Sequence, residues 1–255
     1  MTQAAHDRIP EIALEWHRAG QGAVLATVTE TWGSAPRQAG SQMVVSDAGE
    51  IMGSVSGGCV EGAVVLEAQA ALGEGRARLL SFGVSDEDAF AVGLACGGTI
   101  RVLVEPVGAD VVPALLADLV ARRAARRAVA WVVDVATGER RLVDPAMAGG
   151  ADPLGPAIAE RARADRSGME GGVFVGIHNP PLRLIVVGAV HIAQPLVAMA
   201  RLAGYDPFLI DPRGAFGTET RFPGETIRDD WPDEALRALV PDRRSAVVTL
   251  THDPK

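Results

Sequence analysis

Over residues 7–19 the apolar positions Ile9, Ile12, Ala13 and Trp16 recur at helical spacing, and Gly20 closes the run. Residues 23–31 alternate β-branched side chains with others, which predicts a strand. A loop, Trp32-Gly33-Ser34-Ala35-Pro36-Arg37, comes next, with short strands expected near 42–46 and 51–55. Val60, Val64, Ala68 and Ala71 share one side of a helix over 60–72. Strands are expected at 78–82 and 99–105, then a helix at 111–126 capped by its own arginines. Residues 129–135 and 140–143 read as a hairpin around Thr137-Gly138. Gly, Ala, Asp and Pro collect over 146–156 as a loop, followed by a helix near 156–165 and a strand at 173–177.

His178-Asn179-Pro180-Pro181 punctuates the pattern and places a domain boundary there, giving domains of residues 1–179 and 180–255. From Leu182 the rhythm becomes strand, turn, helix, strand. Residues 184–187 form a continuous apolar run, as buried parallel strands do. A helix is expected at 190–203, a second strand at 206–210, a short helix near 233–240 and another buried strand at 245–250. The fold class is therefore α/β: an N-terminal mixed α/β domain followed by a parallel-sheet, dinucleotide-fold-like domain. That second domain reads as C-terminally incomplete, with about four strands where the dinucleotide fold has six. Either the rest of the sheet is missing, or the domain completes its edge by association, as in a homodimer.

Hydrophobic residues make up 48% of the 255 positions, ample for cores in two domains. A net charge of −8 disfavours nonspecific binding to nucleic acid or to anionic membranes. Lys255 is the only lysine, a bias that fits anion recognition by arginine and equally fits base composition. No run approaches a membrane span, and the N-terminus lacks the apolar core of a signal peptide. Two cysteines are too few for a disulfide framework, so a cytoplasmic setting is expected.

Both cysteines adjoin a glycine pair, Gly57-Gly58-Cys59 and Cys96-Gly97-Gly98. Glycine offers nothing to pack against and lets another molecule approach closely, so these thiols look presented rather than stored. Cys59 precedes a predicted helix start, where unpaired amides attract anions and favour thiolate. Glu61 either orients a ligand or simply answers the helix dipole. Four readings of the pair stay open: a disulfide, plain buried cysteines, a zinc site without its other ligands, or contact to a ligand or soft metal. Ser34 and Arg37 suit a phosphate as well as they suit an ordinary polar turn. Asp86, Glu87 and Asp88 read as a solvated acidic loop or a cation site.

In the second domain, Gly188-Ala189-Val190-His191-Ile192-Ala193 occupies the strand-to-helix turn. Val190 stands where the dinucleotide fingerprint needs its middle glycine. Asp211, 23 residues after Gly188, sits where an acid binds ribose hydroxyls. His191 is either a phosphate donor at the helix start or a capping residue. His252 and Asp253 follow the last strand, on the ligand-gathering edge.

Together these residues resemble the XdhC/CoxI family of xanthine dehydrogenase accessory proteins. The resemblance rests on Thr-Trp-Gly-Ser-Ala-Pro-Arg (31–37), Gly-Ser-Val-Ser-Gly-Gly-Cys-Val-Glu-Gly (53–62), Phe-Gly-Val (82–84) and Gly-Leu-Ala-Cys-Gly-Gly (93–98). Val-Gly-Ala-Val-His-Ile-Ala (187–193) and Ile-Asp-Pro-Arg (210–213) resemble the family's Rossmann-like half. The resemblance implies a chaperone rather than an enzyme, one that binds molybdenum cofactor as cargo, protects it and supports its sulfuration. Its partners would be cofactor biosynthesis and sulfuration proteins and an apo xanthine dehydrogenase-type molybdenum hydroxylase. Cys59 and Cys96 would contact the cofactor and its metal, Gly57, Gly58, Gly97 and Gly98 would admit it, and Arg37 would meet its phosphate. Glu61, Gly188, His191 and Asp211 complete the candidate binding set. The alternatives are an NAD(P)-dependent oxidoreductase working through the second domain, and a purely structural partner that binds no small ligand. If both thiols serve one ligand, the fold must bring Cys59 and Cys96 to a common pocket.

Overall fold

The computed structural model describes residues 8–83, 98–148 and 152–251. The chain divides into two compact units that part between Pro180 and Pro181. In the first unit, helix α1 (Ile9–Arg18) leads into strands β1 (Ala23–Trp32), β2 (Gln42–Ser46) and β3 (Ile51–Gly53). Helix α2 (Glu61–Glu74), strands β4 (Arg78–Phe82) and β5 (Thr99–Pro106) and helix α3 (Pro113–Ala124) follow. The unit closes with β6 (Val129–Asp134), β7 (Arg140–Val143), α4 (Gly155–Ala164), β8 (Gly168–Glu170) and β9 (Val173–His178). Its two antiparallel sheets run β3-β2-β1-β5-β4 and β7-β6-β9-β8.

Strand β1 is central because it is apolar on both faces. Alternate side chains point to opposite sides of a sheet. Val24, Ala26 and Val28 pack with Val64, Ala68 and Ala71 of α2. Ala23 and Leu25 pack the other way, into a core shared with Ile9 and Leu14 of α1, Leu116 of α3 and Trp131 of β6. The far face of the second sheet, Ala130, Val132 and Val175, is closed by Ile158 of α4. Two ion pairs reinforce this packing. Arg123 of α3 reaches Glu11 of α1 at 2.6 Å, and Arg140 of β7 reaches Glu105 of β5 at 2.7 Å. Burial pushes the Glu105 carboxyl up, and the charge of Arg140 pulls it back.

The second unit comprises β10 (Arg183–Val187), α5 (Ala193–Leu202), β11 (Asp206–Ile210), β12 (Ile227–Arg228), α6 (Pro232–Leu239) and β13 (Ser245–Thr249). Its strands are parallel in the order β12-β11-β10-β13. Leu184 and Val186 of β10 face α5, whereas Ile185 and Val187 face Ala235 of α6. Helices on both faces and a strand order that reverses beside β10 make this a doubly wound, Rossmann-type sheet.

Several local readings shift. The helix expected from residue 190 starts at Ala193, because residues 190–192 form a turn. Strands β8 and β12 are too short, at three and two residues, to leave a periodic signal. The strand expected to be buried at 245–250 is an edge strand with Val247 exposed, since among the described residues it pairs only with β10. Among the described residues no helix is long and apolar enough to cross a membrane.

Candidate functional site

Strand register gathers the cysteine and arginine loops at one end of the first sheet. Trp32 pairs with Thr99, and Phe82 with Ile100. Thr27 pairs with Gln42, and Met43 with Gly53. The loop after β1, the turn after β3, the end of β4 and the approach to β5 therefore emerge together. Gly98 is buried where a Cβ would stand 2.8 Å from the Ser34 carbonyl oxygen and 2.9 Å from that of Trp32. On its other side the 33–37 loop meets the cysteine turn, where a Cβ on Gly57 would lie 3.7 Å from Cβ of Pro36. The motifs around Arg37 and Cys59 are thus neighbours, and Gly98 is packed against the same loop.

The cysteine turn is organised by Glu61, the first residue of α2. Its Oε1 accepts hydrogen bonds from the Ser54 hydroxyl at 2.6 Å and from the amides of Val55, Ser56 and Gly57 at 3.2, 2.9 and 3.1 Å. Its Oε2 accepts from the Gly58 amide at 2.9 Å and from the Ser56 hydroxyl. Ser56 Oγ in turn accepts from the amides of Cys59 and Val60 at 3.0 and 2.9 Å. Burial of this carboxylate acts to raise its pKa, but the hydrogen bonds from Ser54 and Ser56 outweigh burial and hold it at about 2. Gly57 and Gly58 take positive φ, +80° and +115°, which lets consecutive amides converge on one anion.

This network corrects the picture of free amides in the turn that holds Cys59, ahead of the first residue of α2. The amides of residues 55–60 are spent on Glu61 and Ser56, and none of them is left to attract an outside anion. Glu61 itself does more than answer the helix dipole, since its carboxylate turns back into the preceding loop. Cys59 is a free, half-buried cysteine packed, like Ala35, against the core between α2 and the sheet. Gly58 faces open space. Arg37 is half-buried, and its Nε is enclosed without a hydrogen-bond partner among the described residues. Cys96 and Gly97, together with Asp86, Glu87 and Asp88, lie outside the described residues, and the expectation that Cys59 and Cys96 share a pocket lies there with them. Among the described residues no cluster of three or more His, Cys, Asp or Glu side chains could hold a metal ion.

Sequence reasoning missed Ser54 and Ser56 as loop-building residues. Their signal is available: two serines, seven and five positions ahead of a glutamate, precede the glycine pair. Trp32 enters the sequence reading only as part of a motif, yet it stands half-exposed at this end of the sheet with Arg101 5.8 Å from its ring centroid.

In the second unit, Gly188 takes φ +109° and backs onto Leu250, and His191 is exposed. Asp211 is buried, and both its oxygens are engaged. Oδ2 accepts from the Ala189 amide and Arg213 Nη2, each at 2.8 Å, and Oδ1 accepts from the Arg213 amide and Nε, each at 2.9 Å. Burial acts to raise the Asp211 pKa, and the Arg213 bonds bring it below the ordinary value. A ribose diol would have to displace Arg213. His252 and Asp253 lie outside the described residues.

Comparison with known proteins bears on both units. The model of the XdhC and CoxI family matches residues 16–83, and that of the XdhC Rossmann domain matches residues 184–255. The Escherichia coli K12 molybdenum cofactor insertion chaperone PaoD is 31% identical over 207 residues, covering 81% of this chain. The chain spans 58% of the length of PaoD. A Bacillus subtilis 168 protein, named as a probable component of xanthine dehydrogenase, is 25% identical over 247 residues, covering 90% of this chain and 72% of that protein. A crystal structure from Bacillus halodurans, described as a xanthine dehydrogenase, superimposes with a TM-score of 0.74 at 25% identity. The match covers 96% of this chain and 74% of that one.

Proposed function

This chain belongs to the XdhC and CoxI family, and we propose that it is a molybdenum cofactor-binding chaperone. The observation that carries the reading is the meeting of the 33–37 loop with the Gly-Gly-Cys turn at one end of a sheet, beside an enclosed guanidinium nitrogen with no partner among the described residues. Molybdopterin offers a dithiolene-bound metal at one end and a phosphate at the other. A thiol is a soft donor suited to the first, and a guanidinium forks onto the second. Cys59 and Cys96 would contact the metal end, Gly57, Gly58, Gly97 and Gly98 would allow close approach, and Arg37 would hold the phosphate.

On this reading the protein carries its cargo rather than transforming it. It shields the cofactor, supports its sulfuration and delivers it in the cytoplasm to an apo xanthine dehydrogenase-type hydroxylase. PaoD, a relative named for cofactor insertion, supports the carrier role. The competing assignment, an NAD(P)-dependent oxidoreductase, draws on the strand-order reversal beside β10, where such sheets bind ligands. It gains nothing from Val190 or from Asp211, whose oxygens are already taken.

The test is pterin and molybdenum analysis of protein co-expressed with an active cofactor pathway. Stoichiometric pterin is expected, with loss of retention in Cys59→Ala, Cys96→Ala and Arg37→Ala. Full retention in the double cysteine variant would remove the thiols from the site. Absence of pterin from the parent, with saturable heat on titrating NADPH, would favour the oxidoreductase.

A further inference from the structure

We propose that Glu61 is the positioning residue of the Cys59 turn: its carboxylate fills a nest of four backbone amides and so sets where the thiol is presented. The inference rests on the reading of Cys59 as a ligand contact. A glutamate answering only the helix dipole would sit exposed in the first turn. Glu61 is 9% exposed and bonded to residues that precede it. Successive amides converging on an oxyanion form the concavity that proteins use to hold phosphate. Here the anion belongs to the chain, delivered from residue 61 to the amides of residues 55–58.

Two consequences follow for the site. Through the Ser56 hydroxyl, which donates to Glu61 and accepts from the Cys59 amide, the carboxylate is one side chain away from the cysteine backbone. The turn cannot receive the phosphate of a ligand, because its amides are already committed and a carboxylate stands among them. The anionic end of a ligand is thereby directed to Arg37, and the open face at Gly58 is left for the other end.

Glu61→Ala vacates the nest, and acetate is the probe that can refill it. Hydrogen exchange of residues 55–60 should quicken about tenfold or more, the scale of one lost charged hydrogen bond. Iodoacetamide alkylation of Cys59, followed on its own peptide by mass spectrometry, should change severalfold, while exchange across residues 64–71 stays at the parental rate. Acetate at tens of millimolar should restore both signals, and chloride at equal ionic strength should not. Parental exchange and alkylation in Glu61→Ala, or losses that acetate leaves unrepaired, would overturn the proposal. Should Glu61→Ala fail to fold, Ser56→Ala decides: faster exchange at Cys59 and Val60 supports the relay, and parental exchange there overturns it. Pterin retention is read separately. A parent without pterin would sink the cofactor reading and leave the exchange and acetate results to decide the nest.

Discussion

Replacing Arg140 with methionine strands a buried carboxylate between the two sheets of the first unit. Arg140 Nε donates to Glu105 Oε1 at 2.7 Å, with the two side chains only 7% and 2% exposed. Burial already pushes Glu105 toward its neutral form, Asp110 adds like charge, and Arg140 supplies the opposing attraction. Removing one partner of such a pair costs about 3–5 kcal/mol. For a unit spanning residues 5–180, about 2–4 °C per kcal/mol converts this to a fall of roughly 6–20 °C in Tm. The sign of the pH dependence follows from linkage. Without Arg140 the folded Glu105 titrates still further above its unfolded value, so the folded state keeps a proton that the unfolded state releases. The variant is therefore least impaired near the unfolded carboxylate range and loses stability as pH rises. Calorimetry at about pH 5 and about pH 8 should find the larger deficit at the higher pH. Glu105→Met in the same background should recover most of the loss, because a well-packed apolar pair avoids desolvation altogether. A deficit under about 1 kcal/mol, or one independent of pH, would refute the argument.

Burial, and then the Arg123 guanidinium, hold the His178 imidazole down at about 3, and Arg123 Nη1 lies 3.1 Å from His178 Nδ1. The unfolded chain takes up this proton below its ordinary value of 6.5 and the folded chain does not. Stability should therefore fall as pH is lowered across that window, at up to about 1.4 kcal/mol per unit, and His178→Gln should flatten the slope in acid-unfolding curves. Gly98→Ala drives a Cβ into two carbonyl oxygens of the Trp32–Ser34 backbone, which should cost about 1–3 kcal/mol and impair pterin retention. Gly62, in the first turns of α2 with open space at its Cβ, is the control. Its change to alanine should stabilise by about 1 kcal/mol or less and leave retention unaltered.

Much of the architecture is written in periodicity. β1 and α2 announce themselves because each carries enough apolar residues at a fixed spacing to bury a face, and the run at 184–187 does so for β10. The same logic fails for β8 and β12, which are too short to repeat, and for β13, where apolar sequence marked a strand but not that among the described residues it pairs on one side only. The candidate site was legible as chemistry, in the glycine-framed thiols and Arg37, and not as geometry.

Residue identity alone therefore determined which groups could act: two thiols, the arginine and an acid after a strand. The tertiary structure decided which of them are free to. It spent Asp211 on Ala189 and Arg213, turned Glu61 inward to close the amides beside Cys59, and left Arg37 Nε without a partner among the described residues. The physical reason is that a hydrogen bond depends on positions within about 3 Å. Side-chain type and spacing set what the chain can form, but only the packing of β1 against α2 and β5 brings the loop of residues 34–36 against Gly57 and Gly98.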